Sequence, residues 1–238
     1  MFKISALATD GELLQSDDVS NIDISWFPLA AQSYHISQNL SDYIFVSTII
    51  CPSDLPNRNG IAFPIEELIK FGTPPNNRMA YTGWRACPIY AEHDNTDPTK
   101  AYGVILDVSL RKIEGYNNNN LFKVMGILAI DKTKYPETAK KVASGEINTY
   151  SMGALADYFT CSYCGSLCTE DHCCSHISSI NDVNFHSITD FRGQEHLVFL
   201  NAHGLTPIET SIVEDPAWAP ALSDNVVDLT KNKLKVSF

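Results

Sequence analysis

The sequence has no apolar run approaching the ~18 residues that a membrane-spanning helix needs, no internal repeat, and little positive charge. Lys and Arg number 17 against 28 Asp and Glu, a formal net charge of −11. A chain this acidic is a poor binder of DNA or anionic membranes, so neither is expected as a partner. The charge suits solubility, or a basic protein partner. The opening Met1-Phe2-Lys3-Ile4-Ser5-Ala6 lacks the apolar core of a signal peptide, which leads us to expect a cytosolic setting. Cysteine is scarce outside one stretch: of seven cysteines, five fall between 161 and 174. In a cytosol that clustering fits a metal site better than a disulfide framework.

What is present suffices for a folded core. The 238 residues are 44% hydrophobic and 10% aromatic, which excludes a disordered chain. The length predicts a single domain over 1–238, with residues 161–195 as a cysteine-rich insertion where apolar periodicity lapses. Ile22, Ile24 and Trp26 alternate with polar residues, the pattern of a strand. Tyr43 to Ile50 is almost wholly apolar or β-branched and predicts a buried strand. Pro64 to Phe71 reads as a short helix closed by Gly72. Tyr102 to Leu110, Leu121 to Ile130, Leu197 to Asn201 and Pro207 to Val213 read as strands. Asn117 to Asn120 forms a turn, and residues 222–238 form a polar tail. Many strands with two or three short helices imply an α+β fold, a mainly antiparallel β-barrel flanked by short helices.

The central stretch is Gly145-Glu146-Ile147-Asn148-Thr149-Tyr150-Ser151-Met152-Gly153-Ala154. A helix enters it from Pro136, whose missing N–H suits a first helical position. Ala139, Val142 and Ala143 share one face, and Gly145 can take the left-handed conformation of a helix end. Ile147, Thr149 and Tyr150 then read as a strand carrying Ser151. Gly153, lacking a side chain, would let a substrate backbone approach Ser151 and nearby N–H groups face an oxyanion. Alone, Ser-x-Gly is a common chance pattern, and a strand serine before a bulge is the plain alternative.

A serine nucleophile needs a base, usually histidine, held by a third group. His93 ends an apolar segment in a loop before a strand, a good place to hold a base. His35, His186 and His196 have no distinguishing neighbours, and His172 and His176 lie among the cysteines. Glu209, Ser211 and Val213 share one side of a strand, with Ile208, Thr210 and Ile212 on the other. A Glu facing inward there requires a partner such as a histidine; an exposed strand Glu is the alternative.

Together, His93, the Tyr150-Ser151-Met152-Gly153-Ala154 strand and Glu209-Thr210-Ser211-Ile212-Val213-Glu214-Asp215-Pro216-Ala217 resemble the head-maturation (prohead) proteases of tailed bacteriophages. These in turn look like relatives of the herpesvirus assemblins. Order and spacing are similar across roughly residues 85–220, with the insertion between. The resemblance implies a serine endopeptidase that cleaves scaffold and capsid proteins, and itself, inside the immature head in the host cytoplasm. It implies a small β-barrel surrounded by helices, Ser151 as nucleophile and His93 as general base. Glu209 matches the acidic position of Glu-x-Ser-x-Val-x-x-Pro-Ala and would orient His93. Assemblins use a second histidine, so His203 is a rival, as is Asp215.

Cys161-Ser162-Tyr163-Cys164-Gly165 has the form of a zinc-knuckle half-site, with the glycine permitting the tight turn. For the other half, Cys174 with His176 is similar to a Cys-x-His-Ile of some phage proteases; Cys173 could replace Cys174, and Cys168 or His172 could intrude. Cys₃His is a closed set, so Zn²⁺ is expected in a structural role. A deaminase zinc would need His-x-Glu followed by Pro-Cys-x-x-Cys; Asn95 stands where that Glu would be, and Thr160 precedes Cys161. Two further readings compete: a catalytically inactive, zinc-stabilised structural or scaffold protein of the phage head, and a zinc-stabilised protein-binding module.

Overall fold

The computed structural model describes residues 2–8, 12–14, 22–73, 77–113, 121–177 and 186–213; of 2–8, 12–14 and 186 the backbone alone is described. The asparagine turn, the C-terminal tail and Asp215 lie outside these residues. In chain order the strands begin with β1 (Phe2–Ala8) and β2 (Glu12–Leu14), followed by α1 (Phe27–Tyr34), β3 (Tyr43–Pro52), β4 (Ile61–Ala62) and the single turn α2 (Ile65–Leu68). Next come β5 (Pro88–Ala91), β6 (Gly103–Lys112), β7 (Phe122–Asp131), α3 (Pro136–Ala143) and β8 (Tyr150–Ala156). The chain continues through β9 (Tyr158–Cys161), β10 (Leu167–Cys168), β11 (His186–Thr189), β12 (Glu195–Val198), β13 (Leu200–His203) and β14 (Thr206–Ile212).

Eight strands form one sheet in the order β1-β8-β14-β5-β6-β7-β3-β2. Its pairs are antiparallel except β5 with β14. β1 lies against β3, so the sheet curls back on itself as a half-barrel whose ladder does not close. A smaller sheet, β10-β9-β13-β4, contains a second parallel pair, β4 with β13. β11 and β12 make a separate hairpin. The architecture is thus α+β, as composition and patterning predict, but a curled open sheet replaces the expected barrel.

The long strands follow from their residues. β3 and β7 are rich in β-branched and aliphatic side chains and pair over nearly their whole length. Gly103 of β6 sits where the backbone of β7 passes so close that a Cβ would overlap the Ala129 carbonyl. One apolar cluster runs from Val46, Ile105 and Leu128 through Tyr150 and Met152 to Cys161, Val198 and Leu200, so the cysteine-rich region shares the core of the main sheet. A second cluster holds α1 against β6 and β7 through Phe27, Ala31, Leu106 and Ala129.

Four local expectations differ from what is observed. Residues 22–26 are not a strand; they turn into α1, where Pro28 sits in the first turn and Phe27 and Ala31, one helical turn apart, are both buried. The helix expected over Pro64 to Phe71 stops at Leu68, because Phe71 bridges to Met79 instead. The strand expected over Leu197 to Asn201 breaks at Phe199. There the Ser162 hydroxyl accepts the Phe199 N–H at 3.0 Å, and the Ser162 N–H bonds the Phe199 carbonyl at 2.9 Å. β8 begins at Tyr150 rather than Ile147.

Gly103→Ala should destabilise the fold by at least ~2 kcal/mol, because backbone rather than a side chain must move. A urea titration of the variant should show a lower midpoint at unchanged slope; an unchanged midpoint would contradict this packing.

Candidate active site

Three adjacent strands, β5, β14 and β8, supply the site. Parallel pairing sets Ser211 of β14 beside Tyr90 and Ile212 beside Ala91. Antiparallel pairing sets Ser211 beside Ser151 and Glu209 beside Gly153, with a bulge between Pro207 and Glu209. Side chains two residues apart share a face of a strand. Ser151 and Gly153 therefore face the same side as Ser211 and Glu209, as the alternation along 208–213 predicts. Strands lie about 4.8 Å apart, so β5 and β8 are separated by roughly 10 Å. His93 spans that gap from a turn at the end of β5. Glu92 and His93 both take left-handed backbone conformations, φ 48° and 59°, which non-glycine residues adopt at a cost. The Glu92 N–H bonds the Ile212 carbonyl at 3.1 Å and holds the turn to β14.

The imidazole lies between two oxygens. Nδ1 is 2.7 Å from Glu209 Oε1, and Nε2 is 2.7 Å from Ser151 Oγ. Glu209 is fully buried, Ser151 is 3% exposed and the His93 side chain is 26% exposed, so the site meets solvent at the imidazole. The second carboxylate oxygen, Oε2, accepts the Ser211 hydroxyl at 2.7 Å, and that hydroxyl accepts the His93 backbone N–H at 3.1 Å. Because Ser211 Oγ accepts from an N–H, its own proton goes to Glu209. A carboxylate only accepts, so Nδ1 carries a proton towards Oε1, and in the neutral ring Nε2 presents its lone pair to Ser151. That is the tautomer a general base requires.

The structure thus brings together His93, Ser151 and Glu209. His203 is elsewhere: its Nδ1 is 3.2 Å from Glu67 Oε1, its Nε2 is 2.9 Å from Thr160 Oγ1, and Tyr158 stacks on its ring. His196 pairs with Asp190 at 3.1 Å, and His35 ends α1 in a left-handed conformation. Cys87 is no rival nucleophile: burial first, then the Glu209 charge, push its thiol up to about 12. The reading of Gly153 needs correction. The space over it, expected to admit substrate, is filled by the Glu209 side chain, whose Oε1 a Cβ would overlap. Ser211 was missed as part of the site, although its place two residues after Glu209 on the same face was the available signal.

A second constellation lies at the end of β9. One ligand atom from each of Cys161, Cys164, Cys174 and His176 falls within 4.8 Å of the others. Zn–S and Zn–N bonds of ~2.0–2.3 Å put tetrahedral ligands somewhat under 4 Å apart, so a small contraction closes this set on an ion. His176 Nδ1 is buried without a hydrogen-bond partner, an orphan that a ligand role or a cofactor would resolve. Hydrogen bonds from the Ser166 hydroxyl and N–H draw the Cys164 thiol down to about 6, while burial pushes Cys161 up to about 11. Cys173 turns instead towards the Thr169 carbonyl, at 4.0 Å.

No protein-family model matches the chain, and no curated protein matches its sequence. Among solved structures, the capsid assembly protease of bacteriophage T4 is similar over 89% of this chain and 96% of its own, with 13% identity and a TM-score of 0.45.

Gly153→Ala should push the Glu209 carboxylate away from His93 and slow modification of Ser151 by a fluorophosphonate about a hundredfold, the scale of an ångström's misplacement. The rate constant of labelling, followed by mass spectrometry, checks this; an unchanged rate would mean that the carboxylate has room to spare.

Proposed function

We propose that the chain is a serine endopeptidase. The observation that carries the reading is a single imidazole whose Nε2 is set 2.7 Å from the Ser151 hydroxyl, while its opposite nitrogen is engaged by a fully buried carboxylate. A buried carboxylate with this geometry is costly to maintain for packing alone. In the proposed reaction His93 Nε2 takes the Ser151 proton as Oγ attacks the scissile carbonyl. Glu209 keeps the ring in the required tautomer and stabilises the imidazolium that forms. The imidazolium then protonates the leaving amine, and water, activated by the same nitrogen, hydrolyses the acyl-enzyme.

The resemblance of the Ser151 and Glu209 stretches to phage head-maturation proteases supports a narrower reading. The substrates would be scaffold and capsid proteins, cut inside the immature head in the host cytoplasm, with self-cleavage as part of the process. If cuts follow an aliphatic-x-Glu pattern, as the resemblance to these proteases suggests, Ile65-Glu66-Glu67 and Ile212-Val213-Glu214 match it formally, and the first is a poor internal site. Glu67 is held by His203, by the Gly204 N–H at 3.1 Å and by Lys70 at 3.2 Å.

Cys161, Cys164, Cys174 and His176 fit Zn²⁺: three thiols and an imidazole are its preferred donors, and four protein ligands leave no open position. The ion's contribution would be structural cross-linking of the β9 end to the segment that follows β10. No step of the hydrolysis involves it.

Ser151→Ala and His93→Ala should each lower cleavage of co-expressed scaffold and capsid protein by a factor on the order of 10⁴ or more; thermal unfolding should be nearly unchanged in Ser151→Ala and lowered in His93→Ala, which strips the buried Glu209 carboxylate of a partner. Mass spectrometry of the new termini reads the outcome, and undiminished processing by either variant would rule out the assignment. Metal analysis should return one zinc per chain. Chelation should lower the unfolding temperature, Cys164→Ser should abolish metal retention, and a metal-free protein indifferent to chelator would remove the zinc site.

A further inference from the structure

Ser211 is a buried polar residue of the sheet that touches His93 and Glu209 at once. Its hydroxyl accepts the backbone N–H of His93 at 3.1 Å and donates to Glu209 Oε2 at 2.7 Å. Ser211 is fully buried and lies directly across from Ser151 in the β8–β14 ladder. We infer that Ser211 is a positioning residue of the catalytic site: one hydroxyl fixes both the turn that carries the base and the carboxylate that orients it. This rests on the serine-hydrolase reading of His93, Ser151 and Glu209.

The turn supplies the physical reason. Two successive non-glycine residues, Glu92 and His93, hold left-handed backbone angles, a conformation that persists only where surrounding bonds over-determine it. One of those bonds runs from the Glu92 N–H to the Ile212 carbonyl and the next from the His93 N–H to the Ser211 hydroxyl. Glu209 Oε1 bonds the ring of the same residue. His93 is therefore gripped at its backbone and at its imidazole by alternate side chains of one strand. The Ser211 hydroxyl closes the loop between the two grips. Without it the His93 N–H and Glu209 Oε2 both lose their partner among the described residues, and each can recover one there only by moving. Either movement lengthens the 2.7 Å contacts on which proton transfer depends.

Thr210, the preceding residue, is the internal control. It is equally buried, on the opposite face of β14, and its hydroxyl has no hydrogen-bond partner. Removing that hydroxyl perturbs the same strand without touching His93 or Glu209.

The test is the rate constant for fluorophosphonate labelling of Ser151 in the full-length protein, since a rate constant reports the reactivity of folded molecules and not their number. Ser211→Ala should label about a hundredfold more slowly, Ser211→Thr, which restores a hydroxyl, should recover most of that loss, and Thr210→Val should label as the unaltered protein does. With a hydrolysable ester such as p-nitrophenyl acetate, the loss should appear in kcat with KM little changed. Ser211→Ala labelling at the full rate, or Thr210→Val slowing as much as Ser211→Ala, overturns the positioning role while leaving the hydrolase reading intact. Unaltered protein that resists the probe, or labelling that survives Ser151→Ala, overturns the hydrolase reading and this inference with it.

Discussion

The carboxylate of Glu209 is the constraint to which the rest of the site answers. It is fully buried in the middle strand of three, where an unpartnered charge would cost several kcal/mol. Every neighbouring choice of residue reduces that cost. Gly153 vacates the space the side chain fills, Ser211 donates to one oxygen, and the imidazole of His93 takes the other. The bulge at Pro207–Glu209 re-aims the strand so that the carboxylate points along the face shared with Ser151. The same arrangement that satisfies a buried charge leaves one imidazole nitrogen facing a serine hydroxyl.

Parallel pairing explains how a histidine just past the end of β5 reaches a serine on β8. β14 runs beside β5 in the same direction, so its later residues lie next to the point where β5 ends. The chain there turns through two left-handed residues and sends the His93 side chain back across β14. Beyond β8 the chain passes Asp157, whose N–H bonds the His203 carbonyl at 2.8 Å, into β9 of the smaller sheet, which ends at Cys161. The proposed nucleophile and the first metal-binding candidate thus belong to one nearly continuous run of strand. Apolar packing from Met152 to Cys161 and Leu200 lies beneath both.

Much of this was legible in the residues, and what was not has physical causes. The long strands β3, β6 and β7 are legible because β-branched runs have few other uses. The helix from Pro136 is legible because proline and glycine mark its ends. The faces of 208–213 follow from period-two alternation, and Cys-x-x-Cys-Gly has a spacing that few other roles require. Curvature was not legible. Whether a sheet closes depends on the register and twist summed over eight strands, and no local pattern encodes that. Residues 22–26 misled because three alternating apolar residues suit a strand as well as the approach to a helix, and only burial of Phe27 and Ala31 decides. Gly153 misled for a related reason. A glycine announces that something comes close, but not whether that neighbour is a substrate or a side chain 56 positions later in the chain.

The pairing of β14 also bears on timing. His93 and Ser151 are separated by 58 positions, but His93 and Glu209 by 116. Contacts that far apart in sequence form late, because the intervening chain must be ordered before they are rewarded. During synthesis, a nascent chain that has emerged only as far as β13 contains His93 and Ser151 without Glu209 on the far side of the imidazole and without the strand that braces the turn. Insertion of β14 between β5 and β8 supplies both at once, so the three side chains would come together in a single step rather than by degrees as the polypeptide lengthens.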